Sequence, residues 1–126
     1  MATEQELRFQ RAQTLAFIKA NASGLTLTPR SRHTDGSGTR WVDGEPRESQ
    51  VMRLVDQSIN AGPVPGVIAA SDGVQRIVVF QLVGVHDAIM ALWDSWTDAA
   101  GVRLEIAELL PDNGYEKRGL VIRYGE

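Results

Sequence analysis

Apolar residues recur along this chain in two periods, first helical and then alternating. Thr3 followed by Glu6 is a capping-box pattern, in which the two side chains satisfy free backbone N–H groups of a first helical turn. Beyond it Leu7, Leu15 and Ile18 share one helical stripe, with Ala12, Phe17 and Ala22 near its edge. The spacing predicts a helix over about residues 4 to 20, stopped at Ser23 and Gly24. From there the period is two. "LTLTPR" sets Leu25 and Leu27 against Thr26 and Thr28, and Pro29 ends the strand or marks an edge. "QVMRLVD" (50 to 56) predicts a second strand, and "QRIVVFQLVGV" (75 to 85) a third that is apolar on both faces. "VRLEIAELLP" (102 to 111) places Val102, Leu104 and Ile106 inward and Arg103 and Glu105 outward. Asn113-Gly114 is a strong hairpin signal, and "EKRGLVIRYG" (116 to 125) returns with Leu120, Ile122 and Tyr124 on one face.

Three stretches do not follow either period. Residues 87 to 96 fit a short helix through Ile89, Leu92, Trp93 and Trp96, or equally a short strand and a turn. Residues 59 to 73 are dense in Gly and Pro and read as irregular connection ending in an Ala-Ala-Ser-Asp-Gly turn. Residues 31 to 48 read as a long, flexible loop, several times the two to five or so residues that a hairpin connection needs. The pattern predicts a mainly β fold: a small barrel of about five or six antiparallel strands, with an N-terminal α-helix and a long loop between the first two strands. The 126 residues make one domain over 1–126.

The charge balance narrows the class of protein. A formal net charge of −3 lacks the basic excess of a general nucleic-acid binder. The absence of cysteine removes disulfides and thiolate metal sites, and suits a reducing compartment. The start, "MATEQELRFQ", lacks the basic-then-apolar order of a signal peptide, and no apolar run is long enough to span a bilayer, so no membrane partner is expected.

Candidate chemistry is thin. His33 lies near Asp35, and His86 adjoins Asp87, but a metal or general-base site needs more groups converging. No phosphate-binding glycine loop, nucleophile elbow or H-E-x-x-H motif occurs. "DGSGTRWVDGE" has the acidic look of a calcium loop, but its spacing is wrong and the closing glutamate is missing. No catalytic residue, metal ligand or cofactor is expected. The 31–49 segment sets three arginines against four carboxylates, which is no phosphate grip. Trp41 and Val42 are its apolar exception, suited either to tuck against the barrel end or to dock on a neighbouring chain.

The tail "ELLPDNGYEKRGLVIRYG" resembles the C-terminus of the head-to-tail stopper (head-closure, head-completion) proteins of long-tailed bacteriophages. "FIKANASGLTLTPR", "TRWVDGEPRESQVMRLVDQ" and "DGVQRIVVFQLVGVHDAIMALWDSW" are similar to that family's helix and first strand, its long loop and second strand, and its central strand, in the same order. The resemblance covers about residues 8 to 125; it departs at Trp93-Asp94, where a Gly-Asp turn is expected.

The resemblance implies a homo-oligomeric ring, hexamer or dodecamer, seated under the adaptor and portal rings. It retains packaged double-stranded DNA without sequence-specific binding and offers a tail-terminator or tail-tube protein its docking surface. It implies a place in the virion at the head-tail interface, after assembly in the host bacterial cytoplasm. The channel or docking loop would carry Arg32, His33, Asp35, Gly36, Gly38, Arg40, Trp41 and Asp43. Val78, Phe80 and Leu82, on the doubly apolar strand, are the candidate subunit interface, since a ring subunit buries two different patches. Alternative readings are a tail terminator or other connector ring protein, and a small β-barrel enzyme acting on nucleotides or peptides.

Overall fold

The computed structural model describes residues 3–56 and 66–124. Helix α1 (Glu4–Ala20) starts where the capping pattern puts it, with Thr3 Oγ1 accepting from the Glu6 N–H at 3.1 Å. It rests on the sheet along a narrow line. Thr14 and Ile18, one turn apart, go in, while Leu15 and Phe17 stay partly exposed. Leu15 thus leaves the stripe that its spacing assigned to the core. Phe17 is used from outside, since the Arg53 guanidinium lies 4.0 Å from its ring and donates to its carbonyl at 2.9 Å.

Among the described residues nine strands follow: β1 (Ser23–Leu25), β2 (Arg30–Asp35), β3 (Gly38–Asp43), β4 (Gln50–Asp56), β5 (Val67–Ala69), β6 (Gln75–Val85), β7 (Ser95–Thr97), β8 (Arg103–Leu109) and β9 (Glu116–Arg123). Six of them form an antiparallel path, β1-β4-β6-β9-β8-β7. Its two ends approach at Thr28 and Ser95, which exchange N–H···O bonds of 2.8 and 3.0 Å. The result is a nearly closed barrel, mainly β as the alternation predicts. β5 pairs with the start of β6, and β2 and β3 pair only with each other.

Both faces of the sheet are covered. Leu25, Leu27, Met52, Leu82, Trp96, Leu104, Ile106 and Val121 fill the barrel. On the opposite face Ala70, Val78, Ala107 and Ile122 form a second cluster, joined by Ile68, Trp93, Leu120 and Tyr124. The turn after β5 lies over that face.

Several expectations need correction. Residues 30 to 43 are a hairpin and not an irregular loop. Residues 57 to 65 lie outside the described residues, and 67–69 are strand rather than irregular connection. Residues 87 to 96 form no helix: tight turns lead into β7. Asn113-Gly114 is not a two-residue turn. It sits within a longer connection in which the Asn113 side-chain Oδ1 accepts from the Tyr115 and Glu116 N–H groups.

Val78, Phe80 and Leu82 do not share a face, because a bulge between Val78 and Phe80 shifts the strand's phase. Val78 belongs to the outer cluster and Leu82 to the barrel interior, while Phe80 is half-buried under Arg123. Val78 and Leu82 therefore have no side chain to offer a neighbour. Glu105 points away from the barrel interior as expected, yet it is fully buried.

Candidate functional site: the hairpin and its root

The feature that the barrel does not need is the β2–β3 hairpin. Its register runs from Arg30 opposite Asp43 to Asp35 opposite Gly38, leaving Gly36-Ser37 as the turn. The local chemistry fits this. Asp35 accepts from the Ser37 N–H at 2.7 Å and from Arg40 at 3.2 Å. Gly38 has φ 113°, a conformation that only glycine adopts freely. Across the strands the Thr34 and Thr39 hydroxyls meet at 3.0 Å, and along β2 His33 lies 3.8 Å from Asp35.

Every residue from Ser31 to Arg40 is exposed. Arg32, His33, Asp35, Gly36, Gly38, Arg40 and Asp43, assigned to the arm by sequence, all stand on this hairpin in the open. Trp41 is half-buried at its root. The hairpin carries three arginines against two aspartates and so has no strong field of either sign.

The root is held on both strands. From β2, Arg30 reaches Ser71 Oγ at 2.9 Å and Glu105 Oε1 at 3.5 Å. Glu105 is the hub of a buried polar knot. It accepts from the Ser71 N–H at 2.9 Å, the Ser71 hydroxyl at 2.8 Å and the Tyr124 hydroxyl at 3.0 Å, and Arg103 stands 3.6 Å away. A carboxylate removed from water is tolerated only with such partners. Burial, helped by the Glu105 charge, raises the Tyr124 pKa, so its hydroxyl stays a donor.

From β3, Trp41 meets Trp93 edge to face, with ring centroids 5.9 Å apart, and Arg30 and Arg32 lie over the Trp41 ring at 5.6 and 5.5 Å. Trp93 has φ 75°, and it is the sole non-glycine with positive φ among the described residues. That conformation costs a residue with a Cβ about 1–2 kcal/mol. Glycine would enter this turn freely, and Trp93 enters it at a cost.

Below the root, the Gly44 N–H donates to Pro29 O and the Arg47 N–H to Leu27 O, both at 2.8 Å. Arg47 then forks onto the buried Asp94 carboxylate, a hydrogen bond that raises the arginine pKa. Between the hairpin (Arg32, Thr39, Trp41), the Ala69–Gly73 turn and Trp93 lies an open groove of about 670 Å³.

Sequence reading missed the groups that fix the hairpin: Arg30, Glu105, Arg47, Asp94 and the packing role of Trp93. Asp35-Gly36 was the available hairpin signal. Nothing local marks Glu105 or Asp94 as buried, because the partners that bury their charge, Ser71, Tyr124 and Arg30 for one and Arg47 for the other, lie far away in sequence. Among the described residues no set of three His, Asp or Glu side chains is grouped as a metal site, and no helix is long and apolar enough to cross a membrane. No family model, curated protein or solved structure matches the chain.

Proposed function

We propose that the chain is a structural subunit of a phage head-tail connector, a head-to-tail stopper. In this reading copies assemble as a homo-oligomeric ring beneath the portal and adaptor rings, and a tail-terminator or tail-tube protein docks below. The observation that carries the reading is the hairpin. It gives no side chain from Ser31 to Arg40 to its own core, yet buried groups fix its root. An exposed arm on a rigid scaffold is suited to touch something else.

In a ring the arms converge toward the channel or reach an adjacent ring. Their near-balanced charge suits obstruction of DNA over tight binding, since phosphate grip needs a cluster of unpaired cations. Arg40 is paired with Asp35, and Arg30 with Glu105 and Asp43. The chain then belongs to the virion at the head-tail interface, assembled in the host bacterial cytoplasm, with no catalytic role and no cofactor.

Deleting the gene from a phage that encodes the chain tests this reading. Filled heads that lose DNA, beside unattached complete tails, are the expected outcome. Infectious virions at normal yield without the chain would overturn it.

A further inference from the structure

Among the described residues the hairpin is joined to the barrel only at its base. Strands β2 and β3 hydrogen-bond to each other and to no strand of the barrel sheet. From Ser31 to Arg40 no hydrogen bond, ion pair or ring contact reaches the barrel among the described residues. Two attachments above the Pro29–Gly44 closure set its direction: Arg30 on Glu105, and Trp41 on Trp93. They differ in kind. Glu105 is bonded on every side within the barrel, so the Arg30 anchor is a fixed pivot. Trp93 contributes an edge-to-face ring contact from a backbone held at φ 75°.

We infer that the hairpin is a latched lever, with Arg30 as its pivot and Trp93 as its catch. When Trp41 leaves Trp93, one edge-to-face ring contact is lost, while the Trp93 turn stays held by its N–H on Ile106 O at 2.8 Å and by the Asp94 N–H on Ala91 O at 3.1 Å. A catch made of one aromatic pair is weak, so the docked and swung orientations lie close in free energy. The open groove beside Trp41 gives the arm room to move without unfolding β2 or β3. The inference goes beyond the connector reading, because it does not depend on what the hairpin touches.

The chain has no cysteine, so a pair can be introduced cleanly. Spin labels at Ser37→Cys on the hairpin turn and Glu108→Cys on the barrel, both exposed, report the orientation by pulsed electron-electron distance measurement. The parent pair should give one dominant distance. Trp93→Gly removes the catch and relieves its backbone together. Trp41→Ala removes the other ring from the hairpin, leaving the barrel core intact. Each should raise a second distance by about three- to tenfold in population, the worth of one aromatic pair. Unchanged distributions in both variants would overturn the latch. A change in Trp41→Ala alone would place the hold in the arginines over that ring, and a change in Trp93→Gly alone would place it in the loop; either result also overturns it.

Discussion

Arg47 and Asp94 form a two-point ion pair, Nε to Oδ2 at 2.8 Å and Nη2 to Oδ1 at 3.1 Å, with the Asp94 side chain only 1% exposed. The pair ties the segment leaving the hairpin to the loop that carries Trp93. Asp94 also accepts from the Ala91 N–H at 3.1 Å, so it shapes the turn that presents the indole.

Removing one partner of such a pair leaves a buried charge without compensation. Arg47→Met should therefore destabilise the fold by about 3 kcal/mol or more. Asp94→Asn should cost less, since it removes the buried charge and keeps a group that can accept from Ala91. Urea unfolding of both variants checks the order; Asp94→Asn proving the worse would contradict it.

Glu105 is buried among donors, so the charge and the acceptor can be separated by substitution. Glu105→Gln keeps an acceptor carbonyl, and Glu105→Ala strands the Ser71 and Tyr124 donors together with Arg30 and Arg103. The alanine variant should lose about 3–5 kcal/mol and the glutamine variant clearly less. Equal losses in denaturant midpoints would mean that charge alone matters here.

The places where the sequence was readable and where it was not follow from this chemistry. The helix was legible from its Thr3–Glu6 capping pattern, although of its predicted stripe only Ile18 is fully buried, and β4, β6, β8 and β9 were legible because each buries an apolar row at its own period. β2 and β3 were not, because a hairpin exposed along its length has no apolar row to display. β5 was hidden by its three-residue length and its Gly-Pro neighbourhood. Glu105 alternates correctly with Leu104 and Ile106, but the Ser71 turn covers its face, and alternation cannot report a covering element from elsewhere in the chain. Trp93 and Trp96 fitted a helical spacing that the turns at Asp87 and Trp93 override.

Two glycines should respond differently to alanine. A Cβ at Gly84 would stand 2.8 Å from Ala88 Cβ and 3.1 Å from Met90 Cε, so Gly84→Ala overpacks the barrel wall and should cost about 1–3 kcal/mol. At Gly36 nothing lies within 4 Å of the added methyl, and Gly36→Ala should stay within about 0.5 kcal/mol of the parent. Thermal melts of the two variants decide this.

Asp72 makes two hydrogen bonds with Arg76, which lower its pKa from 3.8 to about 2. A carboxylate depressed in the folded state stabilises above its ordinary pKa, and that contribution fades as pH falls through the folded value. Stability should thus decline between about pH 4 and 2 partly through this group, modestly because the pair is near the surface. Asp72→Asn should flatten the denaturant midpoint over that range. An unaltered slope would assign the acid response to other carboxylates.

The central claim is that the hairpin serves assembly and not folding, and one variant separates the two. Replacing Ser31–Val42 by Asn-Gly joins Arg30 to Asp43 through a two-residue turn. It keeps the Arg30–Glu105 pivot and the Arg47–Asp94 pair, and it matches the existing register. Loop-closure entropy changes little, and of the contacts to retained residues only those of Trp41 with Trp93 and Arg30 are lost, so the melting temperature should fall by no more than about 5 °C. The decisive measurement is complementation of a phage lacking the gene with this variant, counting infectious particles and imaging the heads. The account predicts a folded variant whose filled heads leak DNA or take no tails; infectious particles at normal yield would contradict it.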